Sequence, residues 1–112
     1  MRNDISVFNE SHEAIPLLQN IADEATFKII LSIIDIAKTV LQISHEKEIP
    51  ISSTYKKIRK LKYAGLVFIE KIEIDDKGKK VIFYKSKLKA LEFSLKKDSI
   101  LLKFQKNDNI KL

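Results

Sequence analysis

Between Ile49 and Ile69 the chain carries five basic residues, Lys56, Lys57, Arg59, Lys60 and Lys62, and no acidic one. Three hydroxyls, Ser52, Ser53 and Thr54, stand just before them. Ammonium and guanidinium groups pair with anionic oxygens, and short hydroxyls both donate and accept hydrogen bonds. The chemistry on offer is recognition of a polyanion, not the making or breaking of bonds. An ordinary solvated helix face mixes both signs, because Glu and Lys four residues apart stabilise it. That mixing is absent here.

Groups suited to catalysis are sparse. His12 and His45 lie far apart, and there is no HExxH, no Ser-His-Asp pattern, no phosphate-cradling glycine loop and no cluster of metal-ligand types. His45 reads as a solvated residue of a short helix, and Asp75 and Asp76 read as turn formers. The chain has no cysteine, which excludes disulfides, thiolate metal sites and thiol redox chemistry together. The expectation is a protein that is not an enzyme and uses neither cofactor nor metal.

The basic residues need a helix to align them. Pro50 sets the approach, Ser52 or Ser53 is expected to cap the first turn, and Gly65 can close the helix in the left-handed conformation. The helix is predicted over about residues 53–64. At 100° per residue, Ile51, Tyr55, Ile58, Leu61 and the stem of Lys62 fall on a core-facing side, with Leu66 just past the cap. Ser53, Lys56, Lys60 and the flank of Tyr63 fall opposite, bordered by Ser52, Lys57 and Arg59. The candidate contact residues on this helix are therefore Ser52, Ser53, Thr54, Lys56, Lys57, Arg59 and Lys60, although the wheel turns Thr54 partly inward.

Before it, Met1 to about Asn9 reads as an arm without sustained period, ordered on contact or frayed. Ser11 to Ile21 can form a short helix in which Pro16 fits only near the first turn. Asp23 or a neighbour can cap a very apolar helix, DEATFKIILSIIDIA, with Ile30, Ile33 and Ile34 as the floor of the core. Phe27 and Ile29 would reach a second surface, such as a dimer partner. Thr39 opens a shorter helix expected to bury Val40, Leu41 and Ile43. Beyond Gly65 the period changes to two: VFIEKIEID and KVIFYKS should pair as strands across a turn at Gly78, leaving Lys77, Lys79 and Lys80 at the tip. The tail has two readings. Leu91, Phe93 and Leu95, then Ile100, Leu102 and Phe104, alternate as a second hairpin around the polar residues Lys96 to Ser99, which is preferred over one long helix. Its apolar face needs a cover, and a second subunit is the expected one.

Composition fits a folded chain, with 112 residues, 45% apolar residues, 2 Gly and 2 Pro. No run approaches a membrane span and the start lacks signal-peptide regions, so a cytoplasmic, nucleoid-associated location is expected. The net charge of +6 is unevenly spread. Residues 1–50 hold 4 Lys/Arg against 8 Asp/Glu, a net of −4, and residues 51–112 hold 17 against 7, a net of +10. The second half is the one expected to meet the polyanion.

The order of elements and the phrase IPISSTYKKIRKLKYAGLV resemble winged helix-turn-helix transcription regulators, most closely the arsenic-repressor-like group and its archaeal relatives. ADEATFKIILSII resembles that family's first core helix and VIFY its second wing strand, so the resemblance covers roughly residues 21–85. It implies an α+β fold with a three-helix core and a two-stranded wing over residues 21–86. Outside the resemblance, the residues themselves read as an arm and short helix over 1–20 and as a dimerisation element over 87–112. The resemblance also implies a homodimer on double-stranded DNA, and carries DNA contact to Ser52, Ser53, Thr54, Lys56, Lys57, Arg59 and Lys60. The cysteine motifs of metal-sensing members are missing. A competing reading is a winged-helix module that binds an acidic protein, disfavoured because protein interfaces centre on aromatic and aliphatic anchors. RNA binding lacks an aromatic stacking platform.

Overall fold

The computed structural model describes residues 5–8 and 11–108. In chain order the elements are β1 (Ile5–Phe8), α1 (Ser11–Ile21), α2 (Glu24–Ser32), α3 (Val40–Lys47), α4 (Ile51–Tyr63), β2 (Val67–Ile74), β3 (Lys80–Ser86), β4 (Leu88–Lys96) and β5 (Ser99–Lys106). The fold is α+β: four helices, a β2–β3 hairpin, and a three-stranded antiparallel sheet in the order β1-β5-β4. This arrangement is compatible with a winged-helix-like fold. The remainder of the expected N-terminal arm, residues 1–4 and 9–10, lies outside the described residues.

Helix starts follow local chemistry. Asp23 caps α2 by accepting from the Thr26 amide at 2.8 Å. Thr39 and Gln42 form a reciprocal capping box at the start of α3. The start of α4 differs from expectation: Pro50 is its N-cap, Ser52 and Ser53 already lie within the helix, and no side chain caps it. Proline suits this place because the chain there needs no amide donor. In α1, Pro16 stands at the sixth position instead of in the first turn, costing one rung of the helix ladder.

Helical spacing decides the core. Thr26, Ile29, Ile30 and Ile33 form the buried stripe around α2, so Ile29 is a core residue and not part of a second surface. Phe27 and Leu31, one turn apart on another side, are exposed. On α3, Val40, Ile43 and Ser44 are buried, whereas Leu41 is about 100° off that stripe and 61% exposed. On α4 the stripe is Thr54, Ile58 and Leu61, while Ile51 and Tyr55 are each about half exposed. Ile58 and Leu61 are buried as the spacing predicts, and the inner face is turned by about 50° toward Thr54 and away from Ile51 and Tyr55. Thr54 can enter the core because its hydroxyl donates to the Pro50 carbonyl at 3.0 Å within its own helix.

The turn from α3 to α4 is three residues long. Glu48 closes α3 in the left-handed region at φ 54°, the Ser44 hydroxyl donates to the Ile49 carbonyl, and Pro50 starts α4. Ahead of α3, the α2–α3 connection pairs with β3: the Lys38 amide donates to the Tyr84 carbonyl at 3.0 Å and the Tyr84 amide returns at 2.8 Å. This third, one-residue rung was not legible in the sequence.

Both hairpins follow the alternation of period two. At the first tip Gly78 takes φ 80° and its amide donates to the Asp75 carbonyl at 3.0 Å. In the second hairpin Leu91 faces Phe104, Phe93 faces Leu102 and Leu95 faces Ile100, so all six share one face of the sheet. The tail is a hairpin and not a helix. Its strand β5 also pairs with β1, so the arm and the tail belong to one sheet. The Cα radius of gyration is 15.2 Å, against about 13 Å for a compact chain of this length. The excess reflects hairpins that project from the helices, over extents of 56 × 34 × 20 Å.

Two substitutions check this packing. Ile58→Ala should lower unfolding free energy by about 2–5 kcal/mol in urea titrations followed by circular dichroism; an unchanged midpoint contradicts the buried stripe of α4. Glu48→Gly should stabilise the fold by roughly 1 kcal/mol, since glycine removes the left-handed strain. A loss of stability contradicts the left-handed closure of α3.

Candidate nucleic-acid interface

Helix α4 packs its Thr54, Ile58 and Leu61 stripe inward, which turns the basic residues out. Ser52, Lys56, Arg59 and Lys60 are exposed, and Ser53 and Lys57 are partly so. Five of these, Ser53, Lys56, Lys57, Arg59 and Lys60, line one shallow depression along the helix. Thr54 does not join them. It is fully buried and so is not a contact residue, contrary to the expectation: its hydroxyl is used inside the helix and its side chain holds α4 to the core.

Lys57 has a second task. Its Nζ lies 3.2 Å from Asp23 Oδ1, linking the basic helix to the first turn of α2. Burial alone would raise the Asp23 carboxyl, but the Thr26 amide and hydroxyl, then Lys57, outweigh it and hold the group below its ordinary value of 3.8. Lys57 is thus already partly neutralised, leaving Lys56, Arg59 and Lys60 as the exposed cations of the depression. Lys60 and Lys62 also stand in the last turn, where the helix dipole favours positive charge.

The lysines of the first hairpin are set by the turn. Asp75 Oδ1 accepts from the Lys77 amide at 2.9 Å and the Lys79 amide at 2.8 Å, confirming Asp75 as a turn former. With those amides tied down, the Lys77, Lys79 and Lys80 side chains stand exposed at the tip. Lys79 and Lys80 also border an open groove of about 440 Å³ between this hairpin and the helices, together with Thr39, Tyr55 and Tyr84. Lys77 stands outside that groove.

Tyr55 and Tyr84 were missed as surface candidates. Tyr55 was assigned to the core as a helix-wheel neighbour of Ile58, and Tyr84 to an undifferentiated strand. The one available signal was that a phenol wants a polar partner for its hydroxyl. Burial, then the neighbouring Tyr55, raise the Tyr84 phenol above its ordinary value, with Arg59 pulling it down. Tyr84 stays protonated at neutral pH, so its hydroxyl remains a hydrogen-bond donor. The arrangement is a cationic helix face, a largely apolar groove bordered by Tyr55, Tyr84 and Asp75, and a cationic hairpin tip.

Among the described residues no group of three or more His, Cys, Asp or Glu is placed to hold a metal ion, and no helix is long and apolar enough to cross a membrane. No family model and no curated protein matches this chain.

The Asp23 cap sets a pH dependence. Its folded pKa is depressed, so its stabilisation is present above the unfolded value and is lost as pH falls through the folded one. Asp23→Ala should cost about 1 kcal/mol at neutral pH, and this deficit should shrink as pH drops below about 4. Urea midpoints of both proteins across that range measure it; a deficit that does not change with pH would mean the ionised carboxylate is not its source.

Proposed function

We propose that this protein is a sequence-specific, double-stranded DNA-binding transcriptional regulator of the winged helix-turn-helix type, acting as a homodimer. The observation that carries the reading is the face of α4. A cationic and hydroxyl surface to which α4 itself contributes no acidic side chain, with Asp23 of the α2 cap meeting it at Lys57, lies opposite the stripe that anchors the helix. Supporting it are the three-residue α3–α4 turn, of the length used in helix-turn-helix units, and the hairpin with its lysine tip beyond the same groove.

In this reading α4 enters the major groove with its N-terminal half nearest the base edges. Ser52, Ser53 and Lys56 are the readout candidates. Lys57, Arg59 and Lys60 pair with phosphates, as do Lys77, Lys79 and Lys80 on the wing, and position the protein more than they specify sequence. Tyr55, from the groove side of α4, joins the candidates. Lysine is a poorer bidentate partner for guanine than arginine, so discrimination per helix is modest and a two-half-site dimer multiplies it.

Fluorescence anisotropy of a labelled duplex across about 50–200 mM salt tests the reading, with single-stranded DNA and RNA as competitors. Affinity should fall steeply with salt, and single strands should compete weakly. Lys56→Glu or Lys60→Glu should lower affinity by more than tenfold while melting as wild type, because both side chains point away from the core. Lys77→Ala should reduce the logarithmic salt slope by about 0.9 for the phosphate contact it loses. Absence of duplex binding at the lowest salt overturns the proposal and shifts the basic face to an acidic protein partner.

A further inference from the structure

The three-stranded sheet ends at β4, whose outer edge pairs with nothing among the described residues. This strand is nine residues long and exposes Phe93 at 51% and Leu95 at 71%. A long edge carrying apolar side chains invites pairing with another chain. Beside it, Phe27 and Leu31 of α2 and Leu91 and Phe93 of β4 line an apolar groove of about 320 Å³. The groove and the open edge form one continuous surface.

We propose that β4 pairs antiparallel with β4 of a second copy of this chain, about a two-fold axis at Ser94, joining two three-stranded sheets into one of six. This rests on the homodimer of the proposed function and gives it a place in the fold. The register follows from the side chains. Residues directly opposite each other share a face, so only registers that set odd positions against odd keep the apolar residues of the two strands on one face. A two-fold at Glu92 sets Glu92 against itself. A two-fold at Phe93 leaves Glu92 facing Ser94 and Lys96 facing Ala90.

A two-fold at Ser94 places Phe93 opposite Leu95 of the second copy and Glu92 opposite Lys96 of the second copy, each twice by symmetry. Lys103 already faces Glu92 from β5, so a row of alternating charge would run across the joint. Two chains of net charge +6 repel one another, and this register sets opposite charges where they come closest. It also brings Leu95 of the second copy beside Phe93, at the mouth of the apolar groove.

Sedimentation equilibrium of the full chain without DNA, as a function of concentration, is the test. The wild type should dimerise reversibly. Glu92→Lys and Lys96→Glu should each raise the dissociation constant by about tenfold or more, through two lost attractions and two new repulsions. The double variant Glu92→Lys/Lys96→Glu should return it to near the wild-type value. Both positions are exposed, and thermal melting of each variant checks that the monomer is intact. A monomeric wild type overturns the proposal, as do single variants that dimerise normally or a double variant that stays dissociated. Duplex titration of the same variants keeps the two readings apart: contact with DNA by a monomer leaves the α4 surface standing when the β4 joint fails.

Discussion

The turn that follows α2 presents three successive carbonyls, those of Ile33, Ile34 and Asp35, and the rest of the chain is arranged to answer them. The Ser86 amide donates to the Ile33 carbonyl at 2.9 Å, and Asn107 Nδ2 donates to the Ile34 carbonyl at 2.7 Å and to the Ser86 carbonyl at 3.0 Å. Lys85 Nζ reaches the Asp35 carbonyl at 2.9 Å. A polar group left unanswered in such a place costs about 1–3 kcal/mol. The donors are the last residues of β3 and the residue just after β5, so the turn after α2 anchors both hairpins. The Ser86 hydroxyl, which donates to the Leu88 carbonyl and accepts from the Leu88 amide, turns the chain from one hairpin into the other.

That joint explains a lysine buried to 3% exposure. Lys85 lies near the end of β3, and its ammonium, bonded to the Asp35 carbonyl, lies 3.7 Å from Glu70 Oε1. Glu70 is the extra residue where the β2–β3 register slips between Ile69 and Lys71. A bulge re-aims one side chain at the expense of one pairing position, and here it is the carboxylate that faces the lysine. Beyond the bulge the hairpin leaves the helices and carries its lysine tip outward. Anchorage at Ser86 and the slip at Glu70 thus set where the tip stands relative to α4.

The parts of the fold that depend on neighbours in sequence were legible. Asp23 and Thr39 announced their helices, Gly78 its turn, and alternation from Val67 onward both hairpins, because each rests on contacts within a few residues. The joint was not legible, because Asn107 and Ile34 lie 73 positions apart and a lone asparagine carries no pattern. Ile29 and Leu41 were misplaced because α2 is apolar nearly all round and α3 is short, so neither period fixes a unique inner face. The basic residues of the candidate site were legible as a block, while Lys57 pairing with Asp23 depends on how α2 and α4 meet.

The phase of α4 has the largest consequence for function. A wheel that ranks residues by hydrophobicity sends Ile51 and Tyr55 inward and leaves Thr54 near the surface. Threonine escapes that ranking because a hydroxyl bonded within its own helix enters a core with little penalty. A partial turn of the helix, with Ile58 and Leu61 kept inside, leaves Tyr55 on the groove beneath the hairpin and withdraws Thr54 from any partner. The surface offered by α4 therefore leans toward the hairpin. In the proposed complex, helix and wing then follow one continuous path of phosphates, with the tyrosine hydroxyls between the two lysine clusters.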